Sequence, residues 1–297
     1  METARSKEIT NPPVRWVSTG WLARHRDDRS LMILDCRPDV HDYFSGHIPG
    51  AVHVPEGLFR VHTGNIPARW IPKDMAEALF GVVGIESGRE LVVYTGGNGT
   101  GTPSSAPGDG FAAAFVAYSL IRYGHSRVCI LDGGLLKWQQ ENQPVTQVSG
   151  CTRRVAYTAH IRENYFTGYP GLLSLREKPG AVLVDTRPPA AFEGQASWAK
   201  PGHIPGAVNV PAPALMDEKN TALIKSPEKL REIFVSRGVT PDKTVICSCG
   251  TGKTATLAFL VLKFLLGYPD VVMFEGGFTE WISYPENPVE VGITKRV

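Results

Sequence analysis

Short apolar runs closed by polar turns set the rhythm of this chain. Leu31-Met32-Ile33-Leu34 ends on Asp35-Cys36-Arg37, and Ala181-Val182-Leu183-Val184 ends on Asp185-Thr186-Arg187. Leu91-Val92-Val93-Tyr94 and Thr244-Val245-Ile246-Cys247 are two further runs of the same kind. Runs this short, β-branched and without polar alternation predict strands buried on both faces. Between them, the spacing predicts helices over 111–123 and 254–266, each followed by a glycine, Gly124 and Gly267, at the usual C-terminal cap. Strands alternating with helices predict an α/β fold, each half a small open parallel sheet flanked by helices on both faces. After Trp281 the tail, with Pro285, Pro288 and Gly292, is expected to run extended along the surface.

The pattern occurs twice. Gly46-His47-Ile48-Pro49-Gly50-Ala51-Val52 follows the first Asp-x-Arg, and Gly202-His203-Ile204-Pro205-Gly206-Ala207-Val208 follows the second. Leu131-Asp132-Gly133-Gly134 precedes Trp138 as Phe274-Glu275-Gly276-Gly277 precedes Trp281. Four matched blocks in one order mean an internal duplication. The expected division is 1–142, a linker at 143–160 with Pro144 and Gly150, and 161–297. Asp35, Asp185, His47 and His203, present in both copies, are read as structural: an ion pair fixing a turn and a histidine bonded to backbone.

Composition excludes several function classes. The 297 residues are 42% hydrophobic and 20% charged, with a formal net charge of +2. That is an ordinary globular balance, with basic residues dispersed rather than clustered, so neither a nucleic-acid nor a membrane partner is expected. No apolar run approaches the roughly 18 residues of a membrane helix. Residues 1–15 are polar and resemble neither a secretory signal nor a transit peptide. Five cysteines, at 36, 129, 151, 247 and 249, are an odd number without metal-ligand spacing. A reducing compartment follows, which points to the cytoplasm and leaves the mitochondrial matrix open. No metal and no cofactor are expected.

One cysteine stands apart. Val245-Ile246-Cys247 leads into Ser248-Cys249-Gly250-Thr251-Gly252-Lys253-Thr254 and then an apolar helix. A glycine-containing loop between strand and helix lets the backbone N–H groups of Gly250, Thr251, Gly252, Lys253 and Thr254 turn inward as an anion-binding nest. The helix behind it adds its positive end. A thiol at the head of such a loop is stabilised as thiolate, so Cys249 is the candidate nucleophile. Cys36, Cys129, Cys151 and Cys247 read as filler. In the first half, aligning Val93 with Ile246 puts Gly96 at the position of Cys249 and leaves no thiol there. That half is expected to be catalytically silent, covering the site, with the Gly/Pro/Ser-rich stretch 96–110 shaping its mouth. Gly252-Lys253-Thr254 is like the end of a P-loop, but Cys247 stands where that motif needs glycine. Cysteine phosphatases need an Arg six residues after the Cys, and Ala255 stands there.

Together, the duplicated Asp-x-Arg, Gly-His-Ile-Pro-Gly-Ala and Gly-Gly-x-x-x-Trp blocks with one Cys loop in the second half resemble the tandem-domain rhodaneses over nearly the whole chain. The resemblance implies two tandem rhodanese-like domains and a sulfurtransferase. A Cys249 persulfide would carry a sulfane sulfur from thiosulfate or 3-mercaptopyruvate to a small thiol, a thioredoxin-like protein or cyanide. The loop is similar to that of mercaptopyruvate sulfurtransferases, and the resemblance gives Arg187 the role of binding the small anionic donor. Lys253 stands where those enzymes usually carry Val; leaning over the pocket it would bind substrate too and favour the thiosulfate dianion. Ala191-Phe192-Glu193 replaces their second Arg, and the stretch 53–72, with Glu56, His62 and Arg69, lacks their Asp and His. The alternative is a non-enzymatic binding or sulfur-relay module, which would have no need of an activated thiol.

Overall fold

A computed structural model describes residues 12–64, 66–96 and 109–292. The first half holds strands β1 (Val14–Val17), β2 (Leu31–Asp35), β3 (Val52–His53), β4 (Arg60–Thr63), β5 (Ile66–Trp70), β6 (Glu90–Tyr94) and β7 (Val128–Leu131). Its helices are α1 (Thr19–His25), α2 (Val40–Ser45), α3 (Lys73–Val83), α4 (Ala112–Arg122) and α5 (Gly134–Gln140). The second half holds β8 (Phe166–Thr167), β9 (Ala181–Asp185), β10 (Val208–Asn209), β11 (Thr244–Ser248) and β12 (Val271–Phe274). Around them stand α6 (Tyr169–Arg176), α7 (Pro189–Phe192), α8 (Pro227–Val235), α9 (Ala255–Leu260) and α10 (Gly277–Ile282).

The architecture is the α/β one expected. Each half forms a five-stranded, wholly parallel sheet, ordered β1-β7-β6-β2-β3 and β8-β12-β11-β9-β10. The two orders match strand for strand, so the duplication in sequence is a duplication of fold. β6 and β11 are central, covered on both faces, which is why their sequences do not alternate. A separate antiparallel hairpin, β4-β5, leaves the first half.

The repeated motifs do the same work in both copies. Asp35 and Asp185 each accept the backbone N–H, Nε and Nη2 of Arg37 and Arg187, and each arginine also donates to a carbonyl, of Gly46 or Gly202. His47 bonds the Tyr43 and Val148 carbonyls and stacks on Tyr43; His203 bonds the Phe192 carbonyl and stacks on Phe192. The chain after each half returns to pair with that histidine, through Thr146 and Glu290. The indoles of Trp138 and Trp281 clamp the returning chain at the Pro144 and Pro288 carbonyls.

The halves share a core. One apolar cluster takes Val93, Phe115 and Tyr118 from the first half together with Val245, Leu257 and Phe259 from the second. Every residue of α4 and of α9 is buried, as befits helices apolar all round. Tyr118 meets Phe259 edge-on at 5.2 Å, an arrangement worth about 0.5–1.5 kcal/mol beyond area burial. Past α9 the chain makes one π-helical turn, Val261–Leu265, before Gly267 at φ 72°. The connecting stretch lies along the first half, donating from Val155 to Gly81, His160 to Tyr123 and Arg162 to Arg122.

The ladders correct one alignment. Asp35 lies opposite Tyr94, and Asp185 opposite Ser248. Thr95, not Gly96, therefore follows the central strand where Cys249 does. The contacts agree: Leu135 N–H donates to the Thr95 carbonyl at 2.9 Å and Phe278 N–H to that of Cys249 at 2.7 Å. Two runs of four apolar residues carry no alternation to mark their register, so only hydrogen bonds resolve a one-residue slip.

Candidate active site

Cys249 leaves β11 at its carboxyl end, in the middle of the second sheet, the usual place for ligands in open α/β sheets. Four of the loop carbonyls are spoken for. Cys249 accepts from Phe278 N–H, Gly250 from the N–H and hydroxyl of Thr279, and Lys253 from the N–H and hydroxyl of Thr256. The Thr251 carbonyl accepts from Arg60 Nη1. The N–H groups of Gly250 to Thr254, in contrast, meet no backbone acceptor among the described residues. Carbonyls turned out and N–H groups left over are the arrangement of an anion nest.

Two glycines make this shape possible. Gly277 has φ +58°, and a β-carbon there would stand 2.6 Å from the Cys249 carbonyl. Gly252 has φ +82°, and a β-carbon would stand 2.8 Å from the Trp70 ring. Trp70 belongs to the first half, so the second half's loop is shaped against the first half's indole. On the other side, a β-carbon at Gly250 would stand 3.0 Å from Trp198 and 3.9 Å from Arg187 Cδ. Trp198 sits edge-on to Phe278 at 5.4 Å.

Burial separates only Cys151 from the other four cysteines. Cys249 is 2% exposed. Cys247, two residues back on β11, has its thiol pushed far above the ordinary range by burial, with Cys249 adding to it. Burial, and then Glu90, raises Cys129 to about 12. Cys36 is buried, donating to the Leu34 carbonyl, and Cys151 is exposed on the connecting stretch.

Arg187 and Lys253 both lie at the loop, and both have carboxylate partners. Arg187 is gripped by Asp185 at 2.6 Å and stacks on Phe278 at 3.9 Å; its Nη1 is buried without a hydrogen bond. Lys253 Nζ is 2.7 Å from Glu56 Oε1 of the first half, so its ammonium is turned to a carboxylate. Sequence reasoning missed Arg60. This residue opens β4, stacks on Phe115 at 4.3 Å and Trp70 at 5.0 Å, and spans the junction to the Thr251 carbonyl. No local signal marks it, because its role depends on how the halves dock. The seam carries two more ion pairs, Arg69 with Glu280 at 2.5 Å and Arg122 with Glu275 at 2.7 Å. Of the stretch 96–110, residues 97–108 lie outside the described residues.

A cavity of 470 Å³ lined by Phe192, Glu193, Asn209 and Arg237 contains no loop residue, so size alone does not locate the chemistry. Asn209 does link it to the site, donating to the carbonyls of Asp185 and Arg187 at 2.9 Å.

Comparison with known proteins agrees with this geometry. The chain matches the rhodanese-like domain family over residues 18–141 and again over 171–284. It is 35% identical over 288 residues to a putative thiosulfate sulfurtransferase of Synechococcus elongatus, covering 94% of this chain and 86% of that one. It is 31% identical over 288 residues to the 3-mercaptopyruvate sulfurtransferase of Escherichia coli K12, covering 93% and 97%. The crystal structure of SseA from Escherichia coli, described as a 3-mercaptopyruvate sulfotransferase of rhodanese fold, superimposes with a TM-score of 0.78 at 30% identity, covering 88% and 98%.

Proposed function

The chain belongs to the rhodanese family, in tandem form, and is a sulfurtransferase; from that premise we propose that Cys249 is the residue that carries the sulfur. The observation that supports this most is position. Cys249 heads a strand-to-helix loop in which five successive N–H groups, Gly250 to Thr254, have no backbone acceptor among the described residues; in the shorter loop after Cys36, the Arg37 N–H is taken by the Asp35 carboxylate and Pro38 has none. The nest lowers the cost of negative charge on the sulfur, both in the attacking thiolate and in the persulfide it becomes.

The reaction follows from the groups present. The Cys249 thiolate attacks the outer sulfur of a small anionic donor: the sulfane sulfur of thiosulfate or the thiol sulfur of 3-mercaptopyruvate. A sulfur–sulfur bond forms at Cys249, and sulfite or pyruvate leaves. A thiol, a thioredoxin-like protein or cyanide then takes the outer sulfur and restores the thiolate. Arg187 binds the donor's negative charge through the Nη1 that Asp185 leaves free. Residues 1–142 act as the half without a nucleophile, 143–160 as the linker and 161–297 as the half that carries the loop. Five free cysteines fit a cytoplasmic setting. Among the described residues, no helix is long and apolar enough to cross a membrane.

The test is cyanolysis by the purified full chain with each donor in turn. The proposal expects turnover with at least one donor and none above background for Cys249→Ser. Turnover retained in Cys249→Ser would move the chemistry elsewhere, and no turnover by the intact chain with either donor would favour a relay role.

A further inference from the structure

We propose that Arg60, supplied by the half without the cysteine, holds the anionic group of the sulfur donor against Cys249 and steadies the charge left on the persulfide. This rests on Cys249 being the sulfur carrier and adds a catalytic residue to that site.

Four other cations at the seam are already held by carboxylates. Arg187 is held by Asp185, Lys253 by Glu56, Arg122 by Glu275 and Arg69 by Glu280. Arg60 forms no ion pair among the described residues. Its Nη1 donates to two carbonyls, Ala68 at 3.1 Å and Thr251, and its Nη2 is buried with no hydrogen-bond partner. A buried guanidinium N–H without a partner is costly, and its retention calls for an explanation. An anion bound at the loop would accept that N–H. Burial lowers the proton affinity of Arg60, and the Cys249 charge is the foremost influence working against this, ahead of Glu56 and Glu275.

The duplication points the same way. Pro55 and Pro211 occupy matching places, each preceding a short 3-10 turn, Glu56–Phe59 and Ala212–Leu215. The residue capping each turn is Arg60 in the first half and Met216 in the second. Each segment reaches to the other half. The first presents Arg60 and Glu56 to the Cys249 loop. The second presents Asn220 and Ala222 to the Gly133 turn beside Thr95. Within one molecule, then, the arginine reaches the loop that carries the thiol, and the methionine belongs to the segment that reaches the turn beside the threonine.

The step balances without an added oxidant or reductant. With thiosulfate, the thiolate pair forms the new sulfur–sulfur bond, the donor's own sulfur–sulfur bond breaks, and sulfite departs with that pair. With 3-mercaptopyruvate the carbon–sulfur bond breaks, and the pair passes to the enolate of pyruvate, which takes a proton from water. In both cases an anion approaches an anion, and a cation between them lowers the repulsion.

Arg60→Met keeps the packing on Trp70 and Phe115 and removes the charge; Arg60→Lys keeps the charge and loses the fork. Donor KM and kcat, and the pH dependence of Cys249 alkylation by iodoacetamide, are measured for both variants in the full chain. The alkylation midpoint reads Arg60 against an unchanged background of Glu56, Glu275, Lys253, Cys247 and the Asp185–Arg187 pair. Arg60→Met is expected to raise KM for either donor roughly ten- to hundredfold, the size of a lost charge-assisted contact, and to move the midpoint upward. Arg60→Lys is expected to recover the midpoint and part of the KM. A folded Arg60→Met with wild-type KM and midpoint overturns the proposal. Should Arg60→Met not fold, wild-type KM and midpoint in Arg60→Lys, whose ammonium cannot reproduce the guanidinium fork, overturn it. Sulfur uptake by Cys249→Ser would instead refute the reading beneath it, whatever Arg60 does.

Discussion

Thr95 and Cys249 stand at the same turn of the same fold. Each follows the central strand of its sheet, and each carbonyl accepts from the first residue past a Gly-Gly pair, Leu135 or Phe278. Each has an Asp–Arg ion pair on the neighbouring strand with near-identical geometry, 2.6 Å in both. What differs is the atom at the head of the turn and what the opposite half brings to it: Arg60 and Glu56 in one direction, Asn220 and Ala222 in the other. A duplicated scaffold keeps its structural parts in both copies, so a motif present twice says little about chemistry. The parts found once locate the site.

The largest effect tests whether the thiol alone makes the difference. In the Cys249→Ser background, adding Thr95→Cys is expected to leave cyanolysis lower by on the order of ten-thousandfold or more, as loss of a nucleophile does. Turnover restored by that cysteine would mean that the first half is equipped after all. Next come the twin arginines. Removing either orphans a buried aspartate, so Arg37→Ala and Arg187→Ala should each lose about 3–5 kcal/mol in urea denaturation. On folded protein, Arg187→Ala should raise donor KM about ten- to hundredfold and Arg37→Ala should not. Equal KM changes would erase the distinction between the halves.

Alkylation kinetics sharpen the same contrast. Burial holds Cys247 protonated far into alkaline conditions, and Cys129 up to about pH 12. Both favour the neutral thiol when folded, so neither becomes nucleophilic until the pH rises toward those raised values. At pH 8, peptide mapping after iodoacetamide should find Cys249 and the exposed Cys151 labelled, with Cys129 and Cys247 labelled only in urea. The smallest effect belongs to Lys253. Its ion pair with Glu56 is partly exposed, at 26% and 21%, and pairs of that kind are worth about 0–1 kcal/mol. Lys253→Val should therefore change KM for both donors by less than about fivefold, leaving the ratio of the two kcat/KM values unchanged within about twofold. A selective fall in thiosulfate turnover would show that the lysine does lean over the pocket.

Much of this was legible in the chain itself. Apolar runs between turn residues mark the central strands, and the four repeated blocks give the duplication. Cys249 stands out because glycines and an apolar helix follow it in a way they follow no other cysteine. Three features were not legible. The slip between Gly96 and Thr95 arose because all-apolar strands carry no alternation, and hydrogen bonding alone fixes their register. Arg60 is 189 residues before Cys249 in sequence and reaches its loop only through the docking of two halves. Likewise, nothing near Lys253 in sequence shows that Glu56 takes up its charge.

The central claim is that sulfur resides on Cys249, at the turn that has the thiol and receives Arg60 from the opposite half. The direct measurement is intact-protein mass spectrometry of the full chain after treatment with each donor, followed by peptide mapping. The account predicts a gain of one sulfur atom, mapped to the peptide containing Cys249 and lost on adding cyanide. A gain mapped to Cys36, Cys129, Cys151 or Cys247, or one that persists in Cys249→Ser, would contradict it.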